Sequence, residues 1–445
     1  MKKIFGTDGI RGKIGEYPML PDTIVKIGFH TGKVLIEQSL DDFTDKPTVI
    51  IGKDPRLSGY MIESALEAGF AAAGVNVLLT GPLPSPGIAY LVRALRLQAG
   101  LMISASHNPY CDNGIKIFDR NGLKLPDATE AIIESKLTEN ITITNTDKVG
   151  RARRIDDAQG RYVEFCKSRF PEDLDLRGLN IVVDAANGAG YQTLPAVIHE
   201  LGAKVTVIGN NPNGFNINHQ VGATYPKAIQ EKVLAKQANI GIAIDGDGDR
   251  ISICDHQGKI YDGDDILFIL SRDPENLPDK SGVVGTLMTN AGLEQSFKDR
   301  NIPFTRVKVG DRYVLEKLLN KNWNLGGETS GHIIMLDQHF TGDGTLAALK
   351  VLSRMIREEQ ELSELNKGWQ KMPQRLVNVE INQNYKFNED PNFIKKVKEI
   401  ENNLNGNGRL LIRPSGTEPI LRILVEARDN KLLELADSLA NKIKQ

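Results

Sequence analysis

Short apolar runs alternate along this chain with segments of helical periodicity, and that alternation restricts the fold more than any other feature. Thr48-Val-Ile-Ile-Gly-Lys53 reads as a buried strand. From Ser58 a helix follows, with Ile62, Ala65, Leu66, Gly69, Phe70 and Ala73 on one stripe and Gly74 where a C-terminal cap belongs. Val75-Asn-Val-Leu-Leu-Thr80 is the next strand, and Gly81-Pro-Leu-Pro-Ser-Pro86 breaks the chain. A helix through Ala89 to Leu97 then leads to an apolar run ending at Ser106. Strand–helix–strand–helix–strand is the layout of a largely parallel sheet with helices on its faces.

The rhythm returns twice. Leu179–Asp184, Lys204–Ile208 and Ile240–Ile244 read as strands, with a helix opening after Asn187-Gly-Ala-Gly190 and another over Lys227–Gln237. A third unit runs from Asp264 through strands at Val283–Met288 and Phe304–Lys308, with a helix at Leu293–Asp299, and a helix-rich connector follows from Asp343 to Gly368. After Met372-Pro373 the pattern becomes β-α-β-β-α, so the predicted fold class is α/β. It comprises three similar domains with mixed, largely parallel sheets, plus a smaller C-terminal α+β domain. The expected divisions are 1–155, 156–253, 254–369 and 370–445.

Composition excludes several classes. Across 445 residues, 40% are hydrophobic, 25% charged, and the formal net charge is −2, which gives no basic excess for nucleic acid or an anionic membrane. The apolar stretches fall well short of the ~18–20 residues that span a bilayer. Cys111, Cys166 and Cys254 are scattered and in no metal-ligand spacing, which points to a reducing compartment without structural zinc. A cytoplasmic location is expected.

Chemistry concentrates in loops at strand ends, where α/β sheets place ligands. Leu101-Met-Ile-Ser-Ala-Ser-His-Asn-Pro-Tyr110 brings a hydroxyl at Ser106 beside the ring of His107, although such a string also serves as plain turn chemistry. Asp245-Gly-Asp-Gly-Asp-Arg250 sets carboxylates at i, i+2 and i+4, separated by glycines that let three oxygens converge on a hard cation such as Mg²⁺. It is not a calcium-binding EF-hand loop, because Arg250 and His256 stand where Gly and Glu are required. Arg250 suits an anionic partner, and a solvated Asp/Gly turn is the plain alternative. Arg413-Pro-Ser-Gly-Thr-Glu-Pro419 offers a guanidinium fork, two hydroxyls and a flexible backbone to a phosphate, with Arg422 as a second cation. A simple hairpin turn would have the same composition. Glu328-Thr-Ser-Gly-His332 offers a carboxylate and a hydroxyl suited to sugar hydroxyls, or is surface loop with a packed His332. Phe5-Gly-Thr-Asp-Gly-Ile-Arg-Gly12 is a tight turn presenting Arg11.

Together these strings, with Asp112-Asn-Gly-Ile-Lys116 and Lys308-Val-Gly-Asp-Arg-Tyr-Val314, resemble the α-D-phosphohexomutases over essentially the whole chain. The opening string and the Lys308–Val314 string favour the branch acting on 2-amino sugars. The resemblance implies four domains around a central cleft, each contributing one loop. It implies that Ser106 is the phosphoserine, and that Asp245, Asp247 and Asp249 ligate one Mg²⁺ per chain with Ser106 completing the set. Arg11, Lys116 and His107 fall in the catalytic group. Arg250, Glu328, Ser330, Arg413, Ser415, Gly416, Thr417 and Arg422 fall among the substrate contacts. Cys111, Thr329 and Pro414 depart from the more familiar residues at their positions, and Thr329 bears on sugar preference.

The implied reaction interconverts glucosamine 6-phosphate and glucosamine 1-phosphate through a bisphosphorylated sugar, which also serves as primer, and feeds UDP-N-acetylglucosamine and cell-wall precursors. Transfer needs positioning and charge neutralisation more than covalent help. The only expected partner is the phosphosugar, with no nucleic acid and no membrane, for a monomer or homodimer. Alternatives are a phosphomannomutase or phosphoglucomutase of the same superfamily, a metal-dependent sugar phosphatase, and a non-catalytic phosphosugar sensor.

Overall fold

Thr48–Lys53 forms a strand buried from Val49 onward: the apolar run Val49-Ile-Ile51 requires it, and Lys53 at its end is buried in an ion pair with Glu63. It pairs in parallel with Asn76–Pro82 on one side and with Ala99–Ile103 on the other. The intervening helix spans Ser58–Ala73, and Gly74 ends it at φ 95°, a left-handed cap that only glycine adopts without strain. The structure, a computed structural model, describes residues 3–6, 8–38, 46–143, 145–278, 281–382, 387–405, 408–414 and 420–443.

The chain divides into two compact units. One comprises residues 1–286 with 307–366, the other 287–306 with 367–445. In the first unit a seven-stranded sheet runs in the order 5–6, 9–13, 112–119, 99–103, 48–53, 76–82, 152–154. A five-stranded sheet follows in the order 260–261, 251–255, 240–244, 180–184, 204–208. A third sheet pairs Val283–Thr286 in parallel with Leu325–Gly327, which pairs antiparallel with Ile333–Met335. The sheets are mixed, as expected for the α/β class.

Three details depart from the sequence expectations. The helix placed at Ala89–Leu97 begins at Ser85 and ends at Ala94, because Pro86 sits in its first turn, where a missing N–H costs nothing. Asp112–Asp119 is a strand antiparallel to Ala99–Ile103, in a stretch to which the alternation of apolar runs assigned no element. Ile251–Asp255 returns antiparallel to Ile240–Ile244 and stays in the second sheet, so it crosses the division expected at 253. These two return strands bracket the loops that carry Ser106 and the three aspartates.

In the second unit, Gln374–Glu380, Ile420–Ala427 and Gly408–Pro414 form an antiparallel sheet with Ile420–Ala427 in the centre. Phe393, Ile400 and Leu404 of the helix Pro391–Leu404 pack with Leu421, Ile423 and Val425 into its core. The helix Ala291–Asp299 belongs to this unit rather than to the third stretch of alternation. Arg409 donates to the carbonyls of Leu287 and Thr289, at 2.9 and 2.7 Å, and so ties the inserted segment to the sheet.

Candidate active site

Strand Ala99–Ile103 delivers Ser104 and Ser106 beyond its last paired residue, and strand Ile240–Ile244 delivers Asp245. The Ser106 hydroxyl, fully buried, donates to Asp245 Oδ2 at 2.5 Å. Ser106 has φ 51°, the left-handed region that non-glycine residues avoid. Gly246 makes the approach of the two loops possible, since a Cβ there would lie 2.4 Å from the Ser106 carbonyl oxygen. Ligand oxygens of Asp245, Asp247 and Asp249 all lie within 4.8 Å of one another, and all three residues are buried.

Positive charge is packed around these carboxylates. Lys116, presented by the return strand 112–119, places Nζ 2.7 Å from Asp247 Oδ2, 2.9 Å from Asp249 Oδ2 and 3.3 Å from Asp8 Oδ2. Burial opposes its charge, but Asp247, Asp249 and Asp8 together outweigh that and hold the ammonium well above its ordinary range. Asp8 also pairs with Arg11 and with Lys124, and Lys124 Nζ continues to Asp311 at 2.6 Å. Burial pushes the Asp8 carboxyl up, yet Lys116, Lys124 and Arg11 together hold it well below the usual carboxylate range. His332 sits between Asp249 (3.7 Å) and Asp311 (3.5 Å). Burial disfavours its charge, but Asp249, then Asp311 and Glu328, raise the ring to about 9, so it is a cation at neutral pH.

Asp245 is pushed up to about 7, first by burial and then by the charges of Asp249 and Asp247. His107 Nδ1 lies 3.4 Å from Ser106 Oγ. Partial burial of the ring, then the Arg250 and Arg11 charges, take it down to about 4, although the residue as a whole stays exposed. It is therefore neutral at pH 7. Ser85 donates to Asp247 Oδ2 at 2.5 Å, and Gly310 N–H donates to Glu328 Oε1 at 2.9 Å. Thr329 gives its hydroxyl to Asp264 at 3.0 Å, while Ser330 is exposed at the loop tip.

The donor set fits a hard divalent cation. Asp247 Oδ1 is buried with no hydrogen-bond partner among the described residues, and Asp249 Oδ1 has only the longer ion pairs to His332 and to Arg250 Nε (3.9 Å); buried carboxylate oxygens so placed are costly unless a cation satisfies them. Arg11 Nε is likewise buried without a hydrogen-bond partner among the described residues, and Arg250 Nε has only its 3.9 Å ion pair with Asp249, which suits an incoming anion.

The structure thus gathers Ser106, His107, Lys116, Arg11, Asp245, Asp247, Asp249, Arg250 and Glu328 within the first unit. In the second unit Arg413 and Arg422 stand directly opposite each other across two paired strands. Ser415, Gly416 and Thr417 lie outside the described residues. Sequence reasoning missed Asp8, Lys124 and Asp311 as site members, and for His332 it offered no role beyond the alternative of a packed side chain. The clue for Asp8 and Asp311 was that each lies inside a string already singled out.

Comparison with known proteins accounts for nearly the whole chain. Residues 2–143 match phosphoglucomutase/phosphomannomutase alpha/beta/alpha domain I, 160–258 match domain II, 262–372 domain III and 376–442 the C-terminal domain. The chain is 51% identical over 442 residues to a phosphoglucosamine mutase of Janthinobacterium sp. (strain Marseille), covering 99% of this chain and 98% of that one. Among solved structures it resembles a phosphoglucomutase/phosphomannomutase family protein from Burkholderia thailandensis, with a TM-score of 0.80 at 24% identity over 100% of this chain and 97% of that one. It also resembles Aspergillus fumigatus N-acetylphosphoglucosamine mutase in complex with GlcNAc-6P and magnesium, with a TM-score of 0.65 at 18% identity over 99% and 94%.

Proposed function

The chain belongs to the phosphoglucosamine mutases, isomerases of the phosphohexomutase superfamily, and from that premise we propose which of its residues carry the phosphate and how. The reaction interconverts glucosamine 6-phosphate and glucosamine 1-phosphate. Ser106 is the phosphate carrier: its oxygen hands a phosphoryl group to the free hydroxyl of the sugar phosphate and takes back the other phosphate from the resulting bisphosphate. The observation that carries this reading is the fully buried Ser106 hydroxyl 2.5 Å from the first carboxylate of a three-aspartate cluster. A serine at such a place has no packing purpose that alanine would not serve better.

Asp245, Asp247 and Asp249 would hold Mg²⁺, one per chain, the ion bound in the Aspergillus fumigatus enzyme. When bound, that ion neutralises charge on the transferring oxygens. Lys116, buried, and Arg11 and Arg250, partly buried, add positive charge held in place by the fold, where it acts with little reorganisation. His107, neutral and within reach of Ser106 Oγ, is suited to hold or pass the hydroxyl proton. Glu328 and Ser330 would orient sugar hydroxyls, and Arg413, Ser415, Gly416, Thr417 and Arg422 the non-reacting phosphate. A sugar bisphosphate would prime an unphosphorylated chain. For the four domains we propose divisions near 155 and 369, with the middle one set beyond Asp255 so that the strand Ile251–Asp255 stays whole. Among the described residues no helix is long and apolar enough to cross a membrane, in keeping with the cytoplasmic location we propose.

The test is Ser106→Ala, which should abolish multiple turnover; near-full isomerase activity in that variant would refute the assignment. Parallel rates on glucosamine 6-phosphate, mannose 1-phosphate and glucose 1-phosphate test the sugar, with the amino sugar expected to be fastest.

A further inference from the structure

We propose that Arg56, together with Asn218, is a positioning residue for the phosphate carrier, holding the Ser106 backbone in the one conformation from which its oxygen can give and retake a phosphoryl group. The inference rests on the carrier reading of Ser106. Arg56 is fully buried, although a guanidinium is among the costliest groups to desolvate. Its Nη2 donates to the carbonyls of Ser106 (3.2 Å) and Asn108 (2.6 Å). Its Nη1 pairs with Asp54 and reaches Ser104 Oγ at 3.4 Å. Asp54 in turn accepts from Ser104 Oγ at 2.5 Å and from the Arg56 N–H at 3.0 Å, and Ser104 Oγ accepts the Ser106 N–H at 2.9 Å. From the second sheet's side, Asn218 Nδ2 donates to the same two carbonyls, at 2.8 and 3.2 Å.

Every polar backbone atom of Ser106 is therefore held, and its carbonyl is held twice. That is the requirement for a non-glycine residue at φ 51°, a conformation that persists only where its surroundings over-determine it. A planar fork can bridge two carbonyls and a carboxylate at fixed angles, whereas an ammonium on a flexible stem cannot. Loosening the loop should hurt the return of phosphate to Ser106 most, because the acceptor oxygen must then be found by a sugar bisphosphate that can also escape. The chain would drift to its unphosphorylated form and come to depend on added primer.

The test compares wild type, Arg56→Lys and Asn218→Gly. Glycine suits the φ of 57° at 218 and removes only the side-chain amide. For each, kcat and KM for glucosamine 6-phosphate are measured with and without added glucose 1,6-bisphosphate, alongside the melting temperature and the Ser106 phosphate content by peptide mass. We expect kcat to fall ten- to a hundredfold in Arg56→Lys and about tenfold in Asn218→Gly, with KM within twofold. We expect low Ser106 phosphate after turnover, and at least fivefold stimulation by the bisphosphate, which a merely structural lesion would not produce. If wild type carries phosphate on Ser106 and either folded variant keeps its kcat and its independence of primer, the positioning role is overturned. If wild type turns over without phosphate on Ser106, the carrier reading falls and takes this role with it. Should Arg56→Lys fail to fold, Asn218→Gly decides alone.

Discussion

The left-handed backbone at Ser106 makes the choice of alcohol at this position narrow. Threonine keeps a hydroxyl, but its β-branch is poorly tolerated at φ 51°. Ser106→Thr should therefore lose at least tenfold in kcat despite retaining the chemical group, as steady-state rates would show. Lys116 is the second residue whose replacement has a defined cost. With its ammonium gone, Asp247, Asp249 and Asp8 lose a shared buried partner. Breaking a buried ion pair from one side costs about 3–5 kcal/mol, so Lys116→Met should lower the unfolding free energy on that scale in denaturant titration. It should also lower kcat by roughly a hundredfold, the usual loss when a fixed charge is removed from a transfer site. The residues of the acidic loop were legible in the sequence because their spacing is local and chemically unusual. Arg56 and Asn218 were not, because their partners are backbone carbonyls about 50 and 110 residues away, and sequence spacing carries no trace of such bonds.

At the scale of elements, the apolar alternation predicted strand and helix identities well, since burial on both faces demands it. It missed the two return strands, Asp112–Asp119 and Ile251–Asp255, because each opens directly from a polar functional loop whose composition masks the strand. Where the segment after Ile333–Met335 meets the helix Ser85–Ala94, His339 is buried and shares a 2.9 Å hydrogen bond with the Pro86 carbonyl. Burial lowers its ring to about 4, aided by the charges of Arg93 and Arg169. In the unfolded chain the ring titrates near its ordinary value of 6.5. Between these values the unfolded state binds the proton and the folded state does not. The stability held above pH 6.5 is therefore lost progressively as pH falls toward 4, by about 3 kcal/mol at most. His339→Gln should melt below wild type at pH 7.5, and the gap between them should close at pH 4.5, as parallel thermal melts would reveal.

At the scale of the whole molecule, a cation that binds only the folded chain should raise its stability by mass action, about 2.7 kcal/mol at a hundredfold excess over Kd. Mg²⁺ should accordingly raise the melting temperature of wild type and leave Asp247→Asn/Asp249→Asn almost unmoved. Chelator should stop turnover, and chelator-insensitive activity would argue against the acidic loop as the ion's seat. The covalent order of the chain also limits how its parts can be exchanged. Because residues 287–306 fold with 367–445, the polypeptide passes between its two units three times. A C-terminal cassette cut at 367 would leave behind the carbonyls that receive Arg409 and the Asn290 amide that reaches the fully buried Glu426. Grafting the tail of one relative onto another would therefore succeed only when the twenty-residue insert travels with it.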